Sequence, residues 1–193
     1  KRKKEKGKRI YMSRQAGSSF KIAYCGITTA LSVIVMLAAL IPSFTYLLPA
    51  VSGIIIWTAA EQLGRKWGFL AYGASALLCF MLIPEIEADL YYLFFFGWYP
   101  IIKELIEKVK PKILAFAVKL AVFNAAVVAA FQISCQIMNL EEILEGLEGF
   151  GDMAVYVLWG AANAAFIVYD ICLNSLFMAF RRWIKPKIFR KLK

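Results

Sequence analysis

Six stretches of the chain are apolar and nearly free of charge: residues 22–41, 44–60, 67–83, 88–102, 113–138 and 153–180. Polar or charged segments separate them. A helix rises about 1.5 Å per residue, so about 20 apolar residues cross the ~30 Å hydrocarbon core of a bilayer. The first stretch has that length. The second to fourth are shorter and need flanking residues or a locally thinner bilayer. The last two are long enough to tilt or to run past the membrane edge. Only helices and closed barrels satisfy their backbones in lipid, and the alternating ten-residue segments of a barrel are absent. The pattern therefore predicts an all-α polytopic membrane protein. Its six-transmembrane-helix bundle occupies 22–180, between a basic tail at 1–21 and a second basic tail at 181–193.

Composition supports this. The 193 residues are 61% hydrophobic with a mean hydropathy of +0.65, whereas a soluble domain is nearer half apolar. One short domain cannot hide that much apolar surface in its own core, so lipid must cover part of it. The 23 basic residues then sort to one side of the predicted bundle. Nine lie in the tail through Lys21. Arg65 and Lys66 lie in the second loop, and Lys103, Lys108, Lys110 and Lys112 in the fourth. Lys119 sits just inside the fifth helix, and seven follow from Arg181. The opposite loops hold Glu85, Glu87 and Asp89, then Glu141, Glu142, Glu145, Glu148 and Asp152. The positive-inside rule puts both termini in the cytoplasm, and an even number of spans agrees. The expected location is a membrane that the chain crosses several times. Because the basic blocks adjoin apolar runs, the net charge of +10 points to an anionic lipid membrane as partner and not to nucleic acid.

The first apolar run is too long for a signal peptide and lacks a small-residue cleavage site. The chain opens on Lys1 and not on Met, so further N-terminal residues are expected. Cys25, Cys79, Cys135 and Cys172 each fall in an apolar stretch without CxxC spacing and read as small core residues. Trp57, Trp67, Trp98 and Trp183 fall near the predicted inner boundary, and Tyr156 and Trp159 near the outer one, as in an aromatic belt. The run FFFGWYPIIKELIEKVKPK, residues 94–112, reads as an exit from the membrane. Pro100 lacks an N–H and disfavours helical geometry at Tyr99, which predicts a kink or helix end there. Lys103 then meets the cytoplasm, and Pro111 opens the next span.

Few residues suggest chemistry. The chain has no histidine, which removes HExxH zinc sites, Ser-His-Asp triads and the usual histidine metal clusters. Walker, GxGxxG and haem signatures are absent, so no cofactor or metal and no ATP hydrolysis is expected. The Glu141-Glu142 pair reads as part of a polar external loop. Polar residues that cost most in lipid are Lys119, Asn124 and Gln132 in the fifth helix and Asn163, Asp170 and Asn174 in the sixth. The last three share a face. Lys119 and Asp170 can form an intramembrane ion pair; a polar relay, a helix-pairing contact and a snorkelling lysine are all open. Glu85, Glu87 and Asp89, beside Tyr91 and Tyr92, lie at the predicted outer edge. They form either a mouth for a cationic or aromatic solute or a solvated loop.

Small residues mark helix contacts: Ala117, Ala121, Ala125 and Ala129 in the fifth helix, Gly160 to Ala164 in the sixth, and Gly26 to Ala30 in the first. With KIAYCGITTALSVIVMLAALIP and GIIIWTAAEQLGRKWGFLAYGASALLCFMLIP, nearly the whole chain resembles the membrane-embedded substrate-binding subunit (S component) of energy-coupling factor transporters. The resemblance is mainly architectural: about 190 residues, six helices, both termini inside and a basic N-terminal tail. It implies uptake of a vitamin-like small solute, bound near the outer side and gated by the loop Pro42 to Pro49. It also implies a transmembrane coupling subunit and separate ATPases as partners. In that family an AxxxA motif on the first helix docks on the coupling subunit; here it is Gly26-xxx-Ala30, with glycine replacing the first alanine.

The expected substrate-binding residues are Tyr46, Glu85, Glu87, Asp89, Tyr91, Tyr92, Asn163 and Asp170, and the expected docking residues are Gly26 and Ala30. The competing functions are a non-transport membrane scaffold or assembly protein, which predicts no solute site, and a membrane enzyme, which needs Asp170 exposed to substrate.

Overall fold

A computed structural model describes residues 17–38, 45–137 and 154–184. Both tails, Pro42 to Phe44 of the expected gating loop, the acidic segment Glu141 to Asp152, and the side chains of Cys135 and Trp183 lie outside the described residues. Those described form helices and turns and no strand. We label the helices α1 (Ser18–Leu37), α2 (Leu47–Leu63), α3 (Arg65–Leu82), α4 (Ile86–Tyr91), α5 (Tyr99–Ile106), α6 (Lys112–Ile137) and α7 (Ala154–Ala179). A π-helical turn, Tyr92–Phe96, lies between α4 and α5, and another, Phe180–Ile184, follows α7. The chain divides into two units, one up to Ile137 and one from Met138.

Three stretches are long and apolar enough to cross a membrane: Ser18–Leu37, Lys112–Ser134 and Trp159–Arg182. Leu47–Leu63 is apolar but shorter. Its 17 residues rise about 26 Å.

In the first unit α1, α2 and α3 pack on one another, and α2 also packs on α5 and the π-helical turn. The α2–α3 connection is a single residue. Gly64 has φ +105°, a conformation that favours glycine. Its N–H bonds back to Ala60 O, while its own carbonyl receives the N–H groups of Trp67 and Gly68. One residue therefore ends α2 and begins α3. Gly68 completes the hairpin, because a Cβ there would lie 2.4 Å from the Ala60 Cβ.

On α1 and α3, small and polar residues share the buried faces with apolar ones, while large apolar residues stay exposed. α1 buries Thr28, Thr29 and Ser32 and exposes Ile22, Ile27, Leu31 and Ile34. α3 buries Gly68, Ala71, Ser75 and Cys79 and exposes Leu70, Leu77, Phe80 and Met81. In water this arrangement would forfeit apolar burial; in lipid it leaves the large side chains solvated by hydrocarbon. The buried hydroxyls are bonded, as burial requires. Thr28 Oγ1 donates to Tyr24 O at 3.0 Å and Thr29 Oγ1 to Ala71 O at 3.3 Å. Polar contacts between membrane helices average about 0.6 kcal/mol each. Small residues also let the backbones approach closely, which helix packing in lipid depends on.

Four expectations need correction. Residues 88–102 are not one helix, and the break falls at Gly97–Trp98, ahead of Pro100. Pro100 lies in the first turn of α5, where its missing N–H has no intrahelical partner to lose. Lys103 does not reach solvent; it is 0% exposed. On α6, Ala117, Ala121 and Ala125 are exposed, and the buried face runs through Ala115, Lys119, Phe123, Ala126 and Ala130. Alanine spacing alone misplaced that face because a phenylalanine and a paired lysine belong to it. Trp57 is 3% exposed and is a core residue, whereas Tyr156 and Trp159 are exposed.

Candidate functional site

Of the predicted site residues, three come together at the end of the first unit where α3 terminates and α2 and α4 begin. Tyr46 is the N-terminal flanking residue of α2. Its hydroxyl donates to Glu87 Oε1 at 2.8 Å, and its ring lies 5.3 Å from that of Tyr91. Glu87 and Tyr91 are four residues apart on α4 and share a side of it. The Tyr91 hydroxyl also engages Glu87. Glu85 flanks the start of α4 and receives the Asp89 N–H through its backbone carbonyl.

Asp89 is 6% exposed, and its Oδ1 has no hydrogen-bond partner. Two residues from both Glu87 and Tyr91, it points away from them around the helix.

Tyr92 is separated from the group it was predicted to join. It is 1% exposed and ends in a node of hydroxyls contributed by three further helices. Its OH lies 2.7 Å from Ser75 Oγ of α3 and 3.1 Å from Ser32 Oγ of α1. Ser32 Oγ is bonded to Ser52 Oγ of α2, which also donates to Ser32 O at 3.3 Å. Ser75 donates to Tyr72 O at 2.9 Å. Every hydroxyl in the node has a partner, so it reads as a polar clamp holding α1, α2, α3 and the π-helical turn together. Three serines scattered among apolar residues gave no sequence signal of this. Only their common burial reveals it.

The π-helical turn frees backbone carbonyls, and side chains take them up. Tyr72 OH donates to Leu93 O at 2.6 Å and Trp98 Nε1 to Phe94 O at 2.9 Å. Phe95 is the hub of the aromatic run: it stacks on Tyr99 at 4.5 Å and meets Phe123 edge-on at 5.2 Å.

Lys119 has one carboxylate partner on its own unit. Glu107 Oε1, just past the end of α5, lies 2.9 Å from Lys119 Nζ and 2.9 Å from Lys103 Nζ. Burial by itself pushes the Glu107 carboxyl up, but the hydrogen bonds and charges of the two lysines outweigh it and leave it below the ordinary glutamate range. Sequence reasoning missed Glu107 because it follows the apolar stretch, in a segment read as cytosolic surface.

Asn163 and Asp170 belong to the second unit. Both are half-buried, and Asn163 Nδ2 donates to Trp159 O of its own helix at 2.9 Å. Asn174 is exposed, while Phe166, Leu173 and Phe177 form the buried stripe of α7. Gly26 and Ala30 lie on the exposed side of α1, and nothing stands within 4 Å of where a Gly26 side chain would be. No group of three or more potential metal ligands occurs among the described residues. The chain matches no family model, no curated protein and no solved structure.

Proposed function

We propose that the chain is an integral membrane subunit that binds a small, micronutrient-like solute and depends on a separate energising module. This is the role of the S components it resembles. The observation that carries this reading is the contact from Tyr46 to Glu87 beside Tyr91. It ties the turn before α2 to the start of α4, at the end of a unit that buries several hydroxyls and leaves many large apolar side chains exposed. A residue beside the segment between α1 and α2 thus meets the acidic end of α4, where a gate to a solute site would lie. The exposed Gly26 and Ala30 on α1 support a docking face for a coupling subunit. Six spans, cytoplasmic termini and residence in a prokaryotic plasma membrane complete the proposal.

The test is to purify the chain in mild detergent, identify co-purifying small molecules by mass spectrometry, and measure thermal stabilisation by vitamins and related metabolites. A bound or stabilising solute is the expected result. Neither, across the whole panel, would overturn the reading in favour of a scaffold. The docking face is tested by capturing a coupling subunit with wild type and with Gly26→Leu; capture unaffected by the substitution removes Gly26 from the interface.

A further inference from the structure

Of the acidic residues at this end of the bundle, Glu87 is engaged by Tyr46. Asp89 is more deeply buried, and among the described residues no lysine or arginine pairs with it. Its Oδ1 is shielded from solvent without a donor. Its sequence neighbours Ala88 and Leu90 are buried as well. Ala88 packs in an apolar cluster with Val33, Met36, Cys79 and Ile83, and Leu48 borders it. Asp89 itself is close enough to Cys79 to act on it electrostatically. A carboxylate in such a place is costly unless something donates to it, and folded proteins leave few such groups unexplained.

We propose that Asp89 is the counter-ion of the transported solute, which carries a protonated amine, amidine or quaternary ammonium on an apolar or aromatic body. The proposal rests on the solute-binding reading above and names its substrate class. A positive group supplies the missing charge, and its N–H groups, where present, supply the missing donors. The apolar cluster beside Asp89 keeps competing water away and strengthens that attraction. A hard divalent cation fits worse, because it needs about six to eight oxygens and no three-ligand group converges among the described residues.

The experiment uses the full chain in lipid nanodiscs and charge-isosteric probe pairs: choline against 3,3-dimethylbutanol, and tyramine against tyrosol, with benzoate as an anion. The expected result is that at least one cationic probe binds about 100-fold more tightly than its neutral partner, the discrimination that one contact to a charged group supplies. Asp89→Asn should abolish that preference. The isostere comparison on wild type stands even if Asp89→Asn does not fold. Preferential binding of benzoate or of the neutral probes would overturn the cation proposal and leave the solute-binding reading intact. So would a cation preference that survives Asp89→Asn. No binding by any probe, together with no response to the wider metabolite panel, would overturn both.

Discussion

Lys103 shows what one residue's surroundings can do to its apparent meaning. In sequence it marks the point where an aromatic run gives way to charges, and it reads as the first cytoplasmic residue. In the structure it is buried against Glu107, which it shares with Lys119. The need of Lys119 for a carboxylate was legible from its place in an apolar helix; that Glu107 supplies one was not, since a glutamate between two lysine-rich segments reads as solvated. Charge-assisted hydrogen bonds contribute about 1.5–3 kcal/mol, so Glu107→Gln is expected to destabilise the chain by about 2 kcal/mol. The pH dependence gives the sign. A carboxyl depressed in the folded state adds stability above its unfolded pKa, and that stability is lost as pH falls through the folded value. Wild type should therefore hold its full advantage over Glu107→Gln above pH 4.5 and lose it progressively below. Thermal melts of the two proteins across that range check this, and an advantage that grows on acidification would refute it.

Helices were the most legible level, because uncharged length and glycine or proline punctuation are local signals. The ends of α2, α3, α6 and α7 fall within a few residues of the apolar boundaries. The segment from Ile86 to Ile106 was not legible as broken. A π-helical turn has no compositional signature, and its stability comes from partners distant in sequence, such as the Tyr72 hydroxyl that caps Leu93 O. Tyr72→Phe should remove that cap and cost about 1 kcal/mol, read as a lower thermal midpoint in detergent. An unchanged midpoint would mean that the turn needs no such partner. Close approach is the second device at this level. A Cβ at Gly53 would stand 1.9 Å from Phe96 O, whereas one at Gly26 meets nothing. Gly53→Ala should therefore destabilise by about 1–3 kcal/mol through overpacking. Gly26→Ala should be neutral or stabilise by up to about 1 kcal/mol from helix propensity. The opposite signs of one chemical change, measured side by side, test the packing; equal effects would contradict it.

For the whole molecule, the question raised by the broken segment is whether it still crosses the membrane. As an uninterrupted uncharged helix it is too short, since only thirteen residues separate Asp89 from Lys103. The burial of Lys103 changes that count. With its charge met by Glu107, Lys103 no longer ends the path; the stretch Ile86 to Ile106, which also holds Glu87, Asp89 and Glu104, has 21 residues, or about 31 Å of helix. That matches the ~30 Å hydrocarbon core, although α4, the π-helical turn and α5 are each far too short alone. Broken helices are tolerated at membrane depth when protein groups take up the freed backbone, as Tyr72 and Trp98 do here. The segment is thus expected to span, with Glu85 and Lys110 on opposite faces. In a variant with Cys25, Cys79, Cys135 and Cys172 replaced by alanine, Glu85→Cys should react with a membrane-impermeant maleimide in intact cells. Lys110→Cys should react only after the membrane is opened. Labelling of both from one side would reduce the spans and reverse every assignment of side beyond α5.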